Sequence, residues 1–353
     1  MQPTLNIMDA AARVASNPRV RRLAGPTLVV GLILLPLLIR DAYMVRTLDV
    51  AGLYVLLALG LNIVVGYAGL LDLGYVAFYA VGAYLYALLA SPQFGLHVPF
   101  LVVFVLGGAL AALAGALIGA PTLRLRGDYL AIVTMAFGEI IRILMNNLDW
   151  LTNGPQGIIQ IDAPVILGAH FDSPSRMFYL ILFFCVAAIY FIRNLERSKI
   201  GRAWAAVRED EDAARAMGLN TRNLKLLAFA MGATTAGGAG VLFAGLQQFV
   251  SPESFTFWES ILILCMVVLG GMGSIPGVIV GSVALIVLPE VFREYSDYRM
   301  IFFGLSLIVM MLVRPEGIWP SRQRKEELAR PSSAVPPGTS GQRGDSLGST
   351  LHP

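Results

Sequence analysis

The sequence predicts an all-α integral membrane protein with about ten transmembrane segments. Of its 353 residues, 56% are hydrophobic and 14% are charged, and the mean hydropathy is +0.70. A soluble domain carries about 25% charged residues. The 36 glycines fit closely packed membrane helices, in which glycine is more frequent than in soluble helices. The composition therefore predicts one continuous membrane domain rather than two soluble ones.

Apolar runs with the lengths of membrane spans recur along the chain and are separated by polar turns. The first run, 27–39, has the length of a signal-peptide core, but no small-residue cleavage site follows it, so an uncleaved span is favoured. Glycines interrupt the run 261–288, which is therefore interpreted as two segments. The runs are 27–39, 50–65, 70–90, 99–120, 129–147, 177–192, 226–250, 261–288 and 298–313.

The two ends of the chain are polar and flank a predicted transmembrane domain, 27–320. Residues 1–26 are predicted to form a cytoplasmic N-terminal segment. Residues 321–353 consist mainly of Pro, Ser, Gly and charged residues, a composition that predicts a disordered cytoplasmic tail. With both termini in the cytoplasm, most Lys and Arg residues fall on the cytoplasmic side, as the positive-inside rule requires.

The sequence argues against several classes of function. None of the three lysines follows a glycine, so no phosphate-binding loop is present. Cys185 and Cys265 lie in apolar runs and the three histidines are scattered, so neither a metal site nor a disulfide framework is expected. Basic residues flank apolar spans, which indicates membrane lipid rather than nucleic acid as the surroundings. No cluster of acids or histidines indicates catalytic residues, so we expect no enzyme activity and no cofactor bound by this chain.

Two glycine-rich breaks interrupt the apolar pattern, one in each half of the chain. Interrupted segments at matching places in two weakly repeated halves are typical of a transport path built from repeats. The alternative is that these glycines only permit close helix crossing, and the two interpretations do not exclude each other. The candidate path or helix-break residues are Asn62, Gly66, Gly69, Asp72, Gly74, Gly270, Gly271, Gly273 and Ser274.

Ionisable residues within or near the spans are few. Such groups are costly in hydrocarbon and usually face the bundle interior or water. Glu139 and Arg142 are three residues apart and share one face of a helix, so we expect an intramembrane ion pair. Pairing is favoured over contact with a solute. Carboxylates are too sparse for a proton relay, which makes an ion-gradient-driven secondary transporter the weaker alternative.

The interval 194–225 is the longest charged stretch between apolar runs. It contains Arg208 and the pattern DAARAMG, residues 212–218. Small residues lie among the charges, and a short helix with a small apolar face suits insertion into the groove of a partner protein. An ordinary charged loop is the alternative. The predicted coupling residues are Arg208, Asp212, Ala213, Ala214 and Gly218.

Six separated motifs together resemble one transport family. DAARAMG is similar to the Glu-Ala-Ala-x-x-x-Gly loop of bacterial ATP-binding-cassette importer permeases, with Asp in place of Glu. Five others resemble the branched-chain amino-acid permeases in particular, and the larger of their two permease types. These five are NIVVGYAGLLDLG (62–74), RGDYLAIVT (126–134), TNGPQGI (152–158), GGMGS (270–274) and RPEG (314–317).

The resemblance implies a non-catalytic permease of the bacterial cytoplasmic membrane. It implies a second, homologous permease, two cytoplasmic ATPase subunits that bind ATP and Mg, and an extracytoplasmic solute-binding protein. The ATPases are expected to dock on the coupling interval. The solute is expected to be a branched-chain amino acid or a related small molecule, because members of the family also serve urea, amides and aromatic acids.

Overall fold

The computed structural model describes residues 41–291 except 123, 124, 126 and 167, together with 36, 304, 308 and 317–319. The predicted N-terminal segment 1–26, the first run 27–39, the last run 298–313 and the tail 321–353 therefore lie outside the described residues, apart from those isolated positions.

The described chain is mostly helical. The helices are α1 Ala42–Asn62, α2 Val76–Leu89, α3 Phe100–Thr122, α4 Asp128–Asn147, α5 Asp149–Thr152, α6 Pro174–Arg197, α7 Lys199–Glu209, α8 Glu211–Ala216, α9 Thr221–Gln247, α10 Phe257–Gly270 and α11 Ile275–Val291. A π-helical turn, Ile63–Tyr67, ends α1, and 3₁₀ turns cover Gly154–Gln156 and Pro252–Phe255. The strands β1 Ile158–Ile159, β2 Val165–Ile166, β3 Ala169–His170 and β4 Phe249–Val250 are two residues each.

Within the described part, five helical stretches are long and apolar enough to cross a membrane. They are Ala42–Tyr67, Phe100–Thr122, Pro174–Arg197, Thr221–Gln247 and Pro252–Gly270. Helices α2 and α11 are apolar but shorter. The predicted run 261–288 is divided as expected, because α10 ends at Gly270 and α11 begins at Ile275.

One predicted span starts later than expected. The run 70–90 was predicted as one helix, but residues 68–75 are irregular and α2 begins only at Val76. Gly69 has φ +70°, which a right-handed helix does not allow. The Asp72 side chain then accepts a hydrogen bond from the Gly74 N–H at 2.9 Å, an Asx turn that competes with helix formation.

Helix α9 lies at the centre of the fold and packs most extensively on α3, α2 and α1. Glycines permit this backbone approach. A Cβ atom on Gly82 of α2 would lie 2.0 Å from the Gly237 oxygen, and one on Gly240 would lie 2.2 Å from the Tyr79 oxygen. Tyr75, buried beside them, donates its hydroxyl proton to the Gly232 oxygen at 3.1 Å. Such close contacts are how membrane helices gain packing energy without a hydrophobic effect between them.

Short strands cap one end of the bundle. β1 pairs antiparallel with β4, with Ile158 opposite Val250, while β2 and β3 form a separate hairpin. The Asp162 N–H donates to the Ala90 oxygen at 2.8 Å, which joins this cap to the end of α2. Because β4 directly follows α9, the cap and the charged interval lie at opposite ends of that central helix.

Candidate functional site

The two predicted glycine breaks contact each other. The Gly273 N–H donates a hydrogen bond to Asn62 Oδ1 at 2.8 Å, and Asn62 is fully buried. A Cβ atom on Gly66 would lie 2.6 Å from the Gly273 nitrogen and 2.1 Å from Asn62 Oδ1. The first break, residues 62–74, therefore meets the second break, residues 270–274, through backbone atoms, and no side chain fits at position 66.

The first break begins with the π-helical turn. The Ala68 N–H donates to the Ile63 oxygen at 3.2 Å, and the Leu70 N–H donates to the Val64 oxygen at 3.0 Å. Turns of this kind inside helices are rare and occur frequently at functional sites. Helix α1 ends at this turn. The carbonyl oxygen of Gly66 accepts a hydrogen bond from a residue outside α1 rather than from the next turn of the helix.

The second break is tightly packed around its own glycines. Gly271 and Gly273 have φ of +113° and +80°, conformations that glycine adopts readily. A Cβ atom on Gly270 would lie 2.4 Å from the Gly277 oxygen, so α10 and α11 cross through backbone contact. Ser274 Oγ accepts the Gly277 N–H at 3.3 Å and thereby caps the start of α11.

Asp72 and Gly74 lie against α4, in the interior of the described chain. Asp72 is 1% exposed, and its Oδ2 has no hydrogen-bond partner among the described atoms. The Leu73 N–H donates to Thr134 Oγ1 at 3.0 Å, and a Cβ atom on Gly74 would lie 2.0 Å from the Thr134 oxygen. Thr134 was not predicted as a site residue, although it falls within the RGDYLAIVT motif.

The charged interval folds into two short helices joined at Asp210. Ser198 Oγ accepts the N–H groups of Ile200 and Gly201 at the start of α7. Asp210 Oδ1 accepts those of Asp212 and Ala213, each at 2.9 Å, at the start of α8. The Gly218 N–H donates to the Arg215 oxygen and the Leu219 N–H to the Ala214 oxygen, which closes α8. We refer to residues 198–218 as the charged elbow.

Two of the five predicted coupling residues turn inward. Ala214 is only 4% exposed, because it lies on the inner face of α8. Arg208 is directed into the molecule, where its guanidinium meets the first break. Asp212, Ala213 and Gly218 are exposed, and Met217, which was not predicted as a coupling residue, is 84% exposed. The small-residue pattern alone could not distinguish the two faces of α8.

Buried contacts fix the charged elbow to the start of α9. Trp204 is fully buried, and its Nε1–H donates to the Leu224 oxygen at 2.7 Å. Lys225, 6% exposed, pairs with Glu211 of α8 at 2.6 Å. Removing one partner of a buried ion pair is strongly destabilising, so this contact holds α8 in place.

Arg208 connects the charged elbow to the first break. Its Nη1 donates to the Gly66 oxygen at 2.6 Å. A Cβ atom on Gly69 would lie 2.8 Å from Arg208 Cγ, so this glycine leaves room for the arginine stem. Since Gly66 also contacts Gly273, a continuous set of contacts runs from the charged elbow through Arg208 to both breaks.

Glu139 and Arg142 face each other on α4. Arg142 Nη2 lies 2.5 Å from Glu139 Oε1, and Arg142 Nε lies 3.0 and 3.2 Å from the two carboxylate oxygens. A second carboxylate, Glu253, accepts from Arg142 Nη1 at 3.2 Å. Glu253 was not predicted as a partner of this pair, because it lies 111 residues from Arg142 in the chain. In the described part of the chain, no group of three or more His, Cys, Asp or Glu residues is arranged to hold a metal ion.

Comparison with known proteins identifies the family. The profile of the family described as "Branched-chain amino acid transport system / permease component" matches residues 43–312, more than half of the chain. The chain belongs to this branched-chain amino-acid permease family. It is accordingly an integral protein of the bacterial inner membrane, and the family assignment agrees with the apolar helices of the fold.

Individual relatives in this permease family include both permease types. The chain is 45% identical to the high-affinity branched-chain amino acid transport system permease protein LivM of Escherichia coli, over 80% of this chain and 72% of that protein. It is 25% identical to a probable LivM of Methanocaldococcus jannaschii, over 77% of this chain and 91% of that protein. It is 26% identical to LivH of E. coli, over 75% of this chain and 90% of that protein. No solved structure matches the chain.

Proposed function

We propose that the chain is a permease subunit of an ATP-driven importer and forms, with a second homologous permease, the path for branched-chain amino acids. The observation that carries this proposal is the contact of Arg208 with Gly66, at 2.6 Å, which joins the charged elbow to both breaks. A permease without a phosphate-binding loop needs such a connection, because force must reach its path from another subunit. The LivM and LivH relatives support a paired permease system.

In the proposed arrangement the chain crosses the membrane ten times, with both termini in the cytoplasm. Eight of the ten predicted segments correspond to described helices, from α1 to α11 without the short α5, α7 and α8. The charged elbow then faces the cytoplasm, where the excess of basic residues belongs. The β-strand cap at the opposite end of α9 faces outward. The membrane domain spans 27–320 and is flanked by the cytoplasmic segments 1–26 and 321–353.

The chain itself catalyses no reaction in this proposal. Two cytoplasmic ATPase subunits bind ATP and Mg, and an extracytoplasmic binding protein delivers the solute. The exposed side of α8, with Ala213, docks into the ATPase together with Met217 and Gly218, which follow the helix. Closure of the ATPase pair moves the charged elbow as a unit, because Trp204 and Lys225 fasten it to α9. Arg208 carries the same movement to the two breaks.

Uptake by the reconstituted complex tests the function. Proteoliposomes are prepared with both permeases and both ATPases, with the binding protein on the extracytoplasmic side and ATP on the cytoplasmic side. We expect these vesicles to accumulate radiolabelled leucine. Urea and benzoate serve as competitors for solute class, and a protonophore tests for gradient-driven transport. Uptake that persists without ATP but collapses with the protonophore would overturn the proposal. Competition by urea or benzoate, without competition by isoleucine, would overturn the solute assignment alone.

A further inference from the structure

The last described segment of the chain, residues 317–319, binds to the second break. The Ile318 N–H donates a hydrogen bond to the Leu269 oxygen at 2.9 Å, and the Trp319 N–H donates to the Gly270 oxygen at 3.1 Å. We refer to this segment as the C-terminal clip. It begins with the glycine of the RPEG motif, whose place in the fold was not predicted. A part of the chain that follows the last predicted span is thus attached to the second break.

The two acceptors of the C-terminal clip are carbonyl groups that α10 cannot pair internally. The final carbonyls of a helix have no partner within that helix. Leu269 and Gly270 are the last two residues of α10, and both are buried. In a membrane protein, backbone groups away from water need a partner, and broken helices of transporters use such carbonyls to bind cations. Here the clip satisfies both carbonyls, which favours a positioning role for the second break over cation binding.

The C-terminal clip packs on glycines that leave no space for a side chain. A Cβ atom on Gly317 would lie 2.6 Å from the Gly271 Cα and 2.7 Å from the Gly271 nitrogen. On α11, a Cβ atom on Gly277 would lie 2.8 Å from the Trp319 oxygen. Gly317 is buried and has φ +88°, a conformation that glycine adopts readily. The clip therefore contacts α10, α11 and the turn between them.

We propose that the C-terminal clip is a positioning element for transport: it holds residues 271–273 in the shape in which the second break meets the first. This inference rests on the proposed function. Gly271, which the clip contacts, is two residues from Gly273, whose N–H donates to Asn62 Oδ1 of the first break. Displacing the clip leaves the last two carbonyls of α10 without their partners and releases Gly271. The hydrogen bond between Gly273 and Asn62 then loses its support.

Stabilisation of the bundle alone is the competing explanation for the C-terminal clip. Ile318 packs against the hydrophobic core, so the clip also contributes buried apolar surface. The two explanations predict different measurements. A clip that only stabilises changes the amount of complex and its unfolding temperature, but the complex that remains transports as much leucine per ATP as before. A clip that positions the second break changes this ratio in the assembled complex.

Two substitutions of Trp319 separate its backbone donor from its side chain. Proline has no backbone N–H, so Trp319→Pro removes the donor to the Gly270 oxygen. The matched control Trp319→Ala keeps the donor and loses only the side chain, which is 59% exposed. In proteoliposomes with the complete complex, we expect leucine transported per ATP hydrolysed to fall at least fivefold in Trp319→Pro and to change less than twofold in Trp319→Ala. An equal ratio in the two variants would overturn the inference.

Substitution of Gly317 tests the close contact independently and decides the matter if Trp319→Pro does not assemble. Gly317→Ala places a Cβ atom against Gly271. The control Gly168→Ala, in the exposed β2–β3 hairpin, has a similar φ of +83° but no atom within 4 Å of its Cβ. Both variants carry the strain of a positive φ, and only Gly317→Ala displaces the C-terminal clip. We expect the ratio to fall at least fivefold in Gly317→Ala and to stay unchanged in Gly168→Ala.

The original complex, assayed in parallel, separates this inference from the proposed function. If it takes up leucine with ATP while Gly317→Ala keeps the original ratio, the positioning role of the C-terminal clip is wrong and the proposed function stands. If the original complex shows no ATP-driven uptake, the proposed function itself fails.

Discussion

Gly66 lies in the π-helical turn that ends α1, where Asn62 Oδ1 and the Gly273 nitrogen leave no room for a side chain. Its carbonyl oxygen is at the same time the acceptor for Arg208. Gly66 therefore contacts both the second break and Arg208 through its backbone atoms alone. Glycine at this position is explained by close approach, since its φ is not among the positive values of the described chain.

Gly66→Ala is expected to destabilise the protein. A Cβ atom would lie 2.1 Å from Asn62 Oδ1, so the side chain or the second break must shift, and overpacking of this kind costs about 1–3 kcal/mol. Thermal unfolding of the detergent-solubilised complex measures the effect as a lower midpoint. Gly108→Ala in α3 is the control, because the atom nearest to its new Cβ would be Thr234 Cγ2 at 3.3 Å. Equal midpoints for the two variants would contradict the close contact between the breaks.

Several residue-level features could be predicted from the sequence and others could not. The pairing of Glu139 with Arg142 follows from their spacing on one helix. Arg208 and Gly66 are separated by 142 positions in the chain, and Arg142 and Glu253 by 111 positions. No local sequence pattern encodes contacts over such separations. The burial of Ala214 was missed for a related reason, because the face that α8 buries is decided by where α9 lies.

At the scale of elements, the charged elbow depends on how α8 ends. Gly218 has φ +84°, and no atom lies within 4 Å of its would-be Cβ. Glycine is required there for its conformation rather than for space. The late start of α2 could not be predicted from the sequence, because the Asx turn at Asp72 lies inside an apolar run that favours helix.

Two substitutions of Gly218 separate conformation from size. Asn adopts the left-handed conformation readily, whereas Val is strongly disfavoured there because of its branched Cβ. We expect Gly218→Asn to retain most ATP-driven uptake and Gly218→Val to lose at least severalfold, with equal amounts of complex in the membrane. Uptake assays with quantified protein measure the difference. Equal loss in both variants would show that space at the ATPase contact, not the end of α8, limits function.

At the scale of the whole molecule, α9 connects the two ends of the protein. Its first residues hold the charged elbow through Leu224 and Lys225, and its last residue precedes β4 of the opposite cap. The glycines along it keep α2 and α3 in backbone contact. Composition and glycine placement predicted the bundle and both breaks, but only three-dimensional packing brings the breaks together.

The proposed role of Arg208 is to transmit ATPase movement to the two breaks, and the number of solute molecules transported per ATP hydrolysed measures this transmission. In proteoliposomes with the complete complex, Arg208→Ala is expected to hydrolyse ATP while this ratio falls at least tenfold. For Arg208→Lys, which can still donate to the Gly66 oxygen, we expect a ratio between those of the original protein and of Arg208→Ala. Arg202→Ala, an exposed arginine of the same helix α7, should keep the original ratio. An unchanged ratio in Arg208→Ala would show that the two breaks respond to the ATPase without this contact.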